Sequence, residues 1–231
     1  MLQNLNELYG SKLAATDGDI GHVKDFYFDD QTWMIRYLIA DTGSWLTGRL
    51  VLLSPHAFGI LDHYDKTLHV KLHKKQIEDS PPIESHRPVS RQYEEQYHRY
   101  YGWPDYWESG GLWGMGGCPA VLPPPPQVTP SRPGHQQRDD INLRSIKAVT
   151  GYHIEATDGA IGSVCGFLVD DKSWAIRQLL VEAGHWYSGK EIQISPRLVG
   201  RISHPESKVF VNLTKADIRR TAVDAVATAV V

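Results

Sequence analysis

Cysteine is nearly missing from this chain. Its 231 residues hold two, Cys118 and Cys165, with no Cys-x-x-Cys pair. That excludes a disulfide framework. No stretch of 18 apolar residues occurs anywhere, which excludes a helical membrane span. The opening Met1-Leu2-Gln3-Asn4-Leu5-Asn6-Glu7 has no basic run followed by an apolar one, so no signal peptide is expected and the expected location is cytoplasmic. Charge of one sign is also missing, since the formal net charge is −3. Residues 1–79 hold 8 Lys+Arg against 11 Asp+Glu, residues 80–141 hold 5 against 7, and residues 142–231 hold 11 against 9. Neither end is basic enough to read as a nucleic-acid domain, and direct nucleic-acid binding is not expected. His-Glu-x-x-His, a Walker loop and Gly-x-Gly-x-x-Gly are all absent, so no catalytic or metal site and no cofactor is expected, while residues that would bind a cofactor are left open.

What is present is a repeat. Shifting the chain by 141 residues aligns 8–79 with 149–220 without a gap, and 26 of those 72 positions are identical. Ala15-Thr16-Asp17-Gly18 returns as Ala156-Thr157-Asp158-Gly159, and Gly21 as Gly162. Asp29-Asp30, Trp33, Ile35 and Arg36 return as Asp170-Asp171, Trp174, Ile176 and Arg177. Gly43, Trp45 and Gly48 return as Gly184, Trp186 and Gly189, and Ser54-Pro55 as Ser195-Pro196. Such a register means duplication, and each copy should fold alike.

Turn chemistry cuts each copy into short strands. Asp-Gly and Asp-Asp-x-x mark turns ahead of strands near 20–28 and 33–40, with counterparts near 161–169 and 174–181. Short strands follow at 50–53 and 191–194, each ended by Ser-Pro. Leu68, Val70 and Leu72 then alternate with His69, Lys71 and His73, and Thr214-Lys215-Ala216-Asp217 reads as a capping box. The expected fold is all-β, two small barrels, because closure removes exposed edges. The expected domains are 1–79, a connector at 80–141, and 142–231.

The connector differs from both copies. Tyr93, Tyr97, Tyr100, Tyr101, Trp103, Tyr106, Trp107 and Trp113 crowd together, Gly110 to Gly117 is glycine-rich, and Pro123 to Pro126 is a proline run. Large aromatics gain roughly 1.5–3 kcal/mol each on burial, so some of these pack on something. They fix the orientation of the two modules, form an adhesive surface for a partner or a second copy, or present a proline-rich ligand.

The repeated order of Asp17, Gly18, Gly21, Val23, Asp29, Asp30, Asp41, Thr42, Gly43, Trp45, Ser54 and Pro55, with Asp158, Gly159, Gly162, Val164, Asp170, Asp171, Glu182, Ala183, Gly184, Trp186, Ser195 and Pro196, resembles the PRC-barrel family. The resemblance covers both modules and leaves 80–140 aside. It implies a binding protein and not an enzyme. Relatives include the cytoplasmic domain of the photosynthetic reaction-centre H subunit and the C-terminal barrel of a ribosome maturation factor.

Candidate residues follow. Arg36 and Arg177 put a charge inside apolar strands, with Asp41 and Glu182 as candidate ion-pair partners. Trp45 and Trp186 sit in glycine-flanked loops, where they plug a barrel end or present a contact surface. Tyr97, Tyr101, Trp103, Trp107 and Trp113 are candidate interaction residues of the connector. His63 is the one histidine that holds its register, with His204, and is read as a loop residue. His69 and His73 are read as a solvated strand face. The expected function is a non-catalytic scaffold or adaptor with an unidentified protein partner. Alternatives are a small molecule or cofactor between the barrels, ribosome or RNA maturation, and peripheral association with a photosynthetic membrane complex.

Overall fold

The computed structural model describes residues 1–81, 91–104, 142–184, 187 and 189–220. The first module runs β1 (Leu2–Asn4), α1 (Leu5–Leu8), β2 (Lys12–Ala15), β3 (Gly18–Asp29), β4 (Met34–Asp41), β5 (Leu50–Leu53), β6 (Phe58–Asp62), β7 (Thr67–Val70) and α2 (Lys74–Glu78). The connector holds α3 (Arg91–Tyr101). The second module runs β8 (Leu143–Ser145), α4 (Ile146–Val149), β9 (His153–Ala156), β10 (Gly159–Asp170), β11 (Ile176–Ala183), β12 (Glu191–Ile194), β13 (Val199–Ser203) and β14 (Lys208–Val211). Residues 215–220 are helical. The capping box opens that turn, with the backbone N–H of Thr214 donating to Asp217 at 3.1 Å and that of Asp217 to Thr214 Oγ1 at 3.2 Å.

The two modules are built on matching cores. Leu13, Ile20, Phe26, Leu38, Leu53 and Leu68 are buried in one, and Ile154, Ile161, Phe167, Leu179, Ile194 and Val209, each 141 residues on, in the other. Period-two alternation along short strands turns these residues inward. Gly21 is kept as Gly162 because β3 passes close to β4: a Cβ on Gly21 would lie 2.0 Å from the Asp41 carbonyl oxygen, and one on Gly162 2.0 Å from that of Glu182.

The all-β double-barrel expectation is corrected here. The fold is mixed α/β, and neither sheet closes. The first is ordered β5-β4-β3-β2-β7-β6 and the second β12-β11-β10-β9-β14-β13, so β5 and β6, like β12 and β13, stand at opposite ends of their paths. Ser54-Pro55 and Ser195-Pro196 end β5 and β12 and open short 3-10 turns at Pro55–Ala57 and Pro196–Leu198. These turns carry the chain away to the far end of the sheet. α1, α2 and α4 escape a sequence reading because four or five residues carry too few positions to show a 3.6 period.

Part of the edge problem is solved by exchange. β1 of the first module pairs antiparallel with β10 of the second (Leu2 with Asp170, Asn4 with Leu168). Reciprocally, β8 of the second pairs with β3 of the first (Leu143 with Asp29, Ser145 with Tyr27). By contacts, the chain divides into Met1–Ile83 with Asn142–Val231 as one unit and Glu84–Ile141 as another.

Candidate functional site

The surface where the two modules meet holds a buried polar cluster. Its frame repeats from both sides. The Ile35 N–H donates to the Trp174 carbonyl at 2.9 Å, and the Ile176 N–H to that of Trp33 at 2.8 Å. The Asp30 N–H donates to the Asn142 carbonyl at 2.9 Å, and the Asp171 N–H to that of Met1 at 3.1 Å. Trp33 and Trp174 both hold φ 56, an unusual left-handed conformation for a bulky residue. The Asp-Asp turn stabilises it, closed by Trp33 N–H to the Asp29 carbonyl and Trp174 N–H to that of Asp170, both 2.8 Å. Trp174 then reaches into the first module, with ring centres 6.1 Å from Phe26 and 4.6 Å from Phe58. Phe28 and Phe167 meet across the seam at 5.8 Å.

On this symmetric frame sits an asymmetric cluster. Asp25, buried on β3, accepts from Ser145 Oγ at 2.6 Å, from the Lys147 N–H at 3.2 Å and from the Phe26 N–H at 2.7 Å. Lys147 lays its ammonium over the Tyr9 ring, 4.7 Å from the centre. Burial pushes the Asp25 carboxyl above its ordinary value, while those hydrogen bonds and the Lys147 charge hold it back. The same burial, with the Asp25 charge added, raises the Tyr9 and Tyr27 phenols. Arg144 Nε lies 2.9 Å from Asp30 Oδ2, and burial raises the Asp30 carboxyl against the pull of Gln31 and Arg144. Of these residues only Asp30 stood out in the sequence, as a repeated turn residue. The available signal was a mismatch, Asp25 against Gly166, inside a well-kept repeat.

The sequence candidates fall elsewhere. Beside Arg36 stands Asp29, at 3.5 Å, and its guanidinium donates to Thr32 Oγ1 at 3.0 Å. Arg177 meets Asp170 at 3.3 Å, and Asp170 is held down to about 2, chiefly by the Lys172 N–H. Asp41 accepts from the Gly43 N–H at 3.0 Å and stands 3.9 Å from Lys24. Glu182 lies in β11, paired with Glu191 of β12 in register. Trp45 is half-buried, with the Lys74 ammonium 4.6 Å above its ring. Trp186, Trp107 and Trp113 lie outside the described residues. Tyr97, Tyr101 and Trp103 come together around the end of α3: Tyr97 is buried, 4.9 Å from Tyr101, and Tyr101 stacks on Trp103 at 4.4 Å. His204 is hydrogen-bonded to the Tyr152 hydroxyl. His73 Nδ1 lies 2.8 Å from Thr16 Oγ1 and 3.9 Å from Asp17.

Fold and seam together define a class: duplicated small sheet modules interlocked by exchange of their leading strands. Residues 3–78 match the PRC-barrel domain, and that part of the chain is a PRC-barrel domain. The second module is a similar sheet unit in the same register. Comparison with curated proteins found no match. The domain match supports a non-enzymatic protein. Among the described residues, no group of three His, Cys, Asp or Glu could hold a metal ion. Among them too, no helix is long and apolar enough to cross a membrane.

Proposed function

We propose that this protein is a non-catalytic interaction scaffold made of two PRC-barrel modules, residues 142–231 being the second. The residues kept in both copies have structural tasks: Gly21 and Gly162 admit a neighbouring strand, Asp29 and Asp170 close turns, and Trp33 and Trp174 frame the seam. The partner surface is therefore sought where the copies differ.

One observation carries the reading. On the hairpin of β6 and β7, at the end of the first sheet, Ile60 is 78% and Tyr64 96% exposed. Their counterparts in the second module are Arg201 and Pro205, and there Arg201 lies over Phe210 and pairs with Glu206 at 3.6 Å. An end strand with the exposed Ile60 and no lysine or proline, followed by a turn that exposes Tyr64, is suited to receiving another chain. Tyr101 and Trp103, part-exposed beside the buried Tyr97, supply a second contact surface of the type enriched at interfaces.

Affinity capture from native extract tests the reading with three proteins: the intact chain, an Ile60→Lys/Tyr64→Lys variant, and a chain whose Tyr93–Trp113 segment is replaced by a polar linker. A stoichiometric partner held by the intact chain and lost by either variant is the expected result. Equal recovery from all three, with each folded, rejects it.

A further inference from the structure

We infer that the seam is a sorting interface: Asp25 against Ser145 and Lys147 at one end, and Gly166 against Asn6 at the other, make a first module pair with a second module, in its own chain or in a second copy, and reject its own kind.

The two ends of the seam are equivalent positions 141 residues apart. Asp25 corresponds to Gly166, Ser145 to Asn4, and Lys147 to Asn6. The backbone frame is the same at both ends, so backbone bonding alone would accept two first modules, two second modules, or one of each. Side chains decide between these.

At the first end, the carboxylate of Asp25 is filled by the Ser145 hydroxyl and the Lys147 N–H, with Lys147 resting on Tyr9. At the second, Asn6 Nδ2 donates to the Cys165 carbonyl at 2.7 Å, and Gly166 leaves room for it: a Cβ there would begin 2.8 Å from that nitrogen. Two first modules would set Asp25 opposite Asn6 at both ends. The space Asn6 needs would be taken, and two carboxylates would be buried without a lysine. Asp30 would lose Arg144, because Gln3 stands at that position. Two second modules would set Lys147 opposite Gly166 at both ends. Ser145 and the Lys147 N–H would find no carboxylate, and Thr150 would replace the Tyr9 ring. One of each fits both ends, and the mismatched pairs are penalised by clash and unpaired charge.

None of these contacts depends on the peptide link between the modules, which runs through 84–141. A second copy of the chain presents the same two faces. Within one chain the link raises local concentration and favours the closed form. Exchange between copies then needs only a seam that reopens.

The test uses the full-length chain with a protease site inserted after Gly117, cut after folding, in unlabelled and nitrogen-15-labelled forms. The two are mixed in urea below the unfolding transition, returned to buffer, and read by native mass spectrometry. We expect the halves to stay associated on cutting. Mixed-isotope pairs of a first with a second module should appear at least tenfold above the mixed-isotope like pairs of either kind, whereas free assortment gives about twofold. Asp25→Gly copies the Gly166 end onto the first module and should raise first–first pairs at least threefold; Gly is tolerated at that bulge, as Gly166 shows. Ser145→Asn/Lys147→Asn copies the Asn4 and Asn6 end onto the second module and should raise second–second pairs likewise. Separation of the halves on cutting, absence of mixed-isotope pairs, free assortment in the parent, or unchanged like pairs in both variants would each overturn the inference.

Discussion

Trp174→Ala tests whether the two modules are one cooperative body. Trp174 is 7% exposed, and its ring contacts Phe26 and Phe58 of the other module. Truncating a buried Trp leaves a cavity and costs about 3–5 kcal/mol, a large share of the roughly 5–15 kcal/mol that holds a domain together. The φ of 56 adds nothing to the difference, since Ala bears the same left-handed strain as Trp. Trp33 is half-buried against Phe28, ring centres 5.4 Å apart, so Trp33→Ala should cost about half as much. Urea unfolding followed by hydrogen exchange on peptides from β3–β4 and β10–β11 reads both modules separately. The expected result is one transition in which both peptide sets lose protection together, at lower urea in Trp174→Ala than in Trp33→Ala. Two separate transitions, or a loss under about 1 kcal/mol in Trp174→Ala, would refute the interlocked seam.

Further outcomes follow from particular residues. Gly21→Ala places a Cβ 2.0 Å from the Asp41 carbonyl at φ 131, so a loss of more than about 4 kcal/mol is expected in thermal melts, or no soluble protein at all. Asp25 has a native carboxyl pKa above its ordinary 3.8, so between those values the native state binds more protons than the unfolded one. Its contribution to stability is therefore greatest at acid pH and declines as pH rises through the raised native value. Asp25→Asn keeps the acceptor for the Phe26 and Lys147 N–H groups, should match or exceed the parent at pH 7, and should lose that decline in urea titrations across pH. Asp25→Ala instead strands the Ser145 hydroxyl and the Lys147 N–H, and should cost about 1–3 kcal/mol. In a carboxyl carbon NMR titration, Asp170 should titrate near 2 and Asp25 above 3.8; the reverse order would contradict the burial of Asp25.

The duplication was legible in the sequence, because a kept register of Asp-Gly turns, buried aliphatics and paired tryptophans is a one-dimensional pattern. Turn chemistry located β3, β4 and β5, and alternation located β7 and set Leu68, Val70 and Leu72 inward, where they are buried. The close approach of β3 to β4 was visible in outline, as Gly21 and Gly162 in equal places. Such features are local: side-chain period, turn chemistry and the room that glycine leaves decide them within a few residues.

The sequence did not determine how the sheets end or what the modules do with each other. β1 and β8 are three residues each, too short to carry a period, and each is stabilised by the other module's long strand. The preference for edge coverage was readable, but here exchange covers β3 and β10 and leaves β5, β6, β12 and β13 at the ends of their paths, an outcome that depends on which edge lies within reach in three dimensions. Asp25 meets Ser145 and Lys147 across 120 and 122 residues. In sequence Asp25 is one more charged residue in a strand; it becomes a buried carboxylate with three donors only when the second module folds over it. Arg36 likewise had Asp29 and Asp41 both within strand distance, and it lies against Asp29 because the Asp-Asp turn folds back toward it. Short-range periodicity thus determined the modules, and burial across a long-range contact decided the seam, since desolvation acts on whatever the chain brings together, however far apart in sequence.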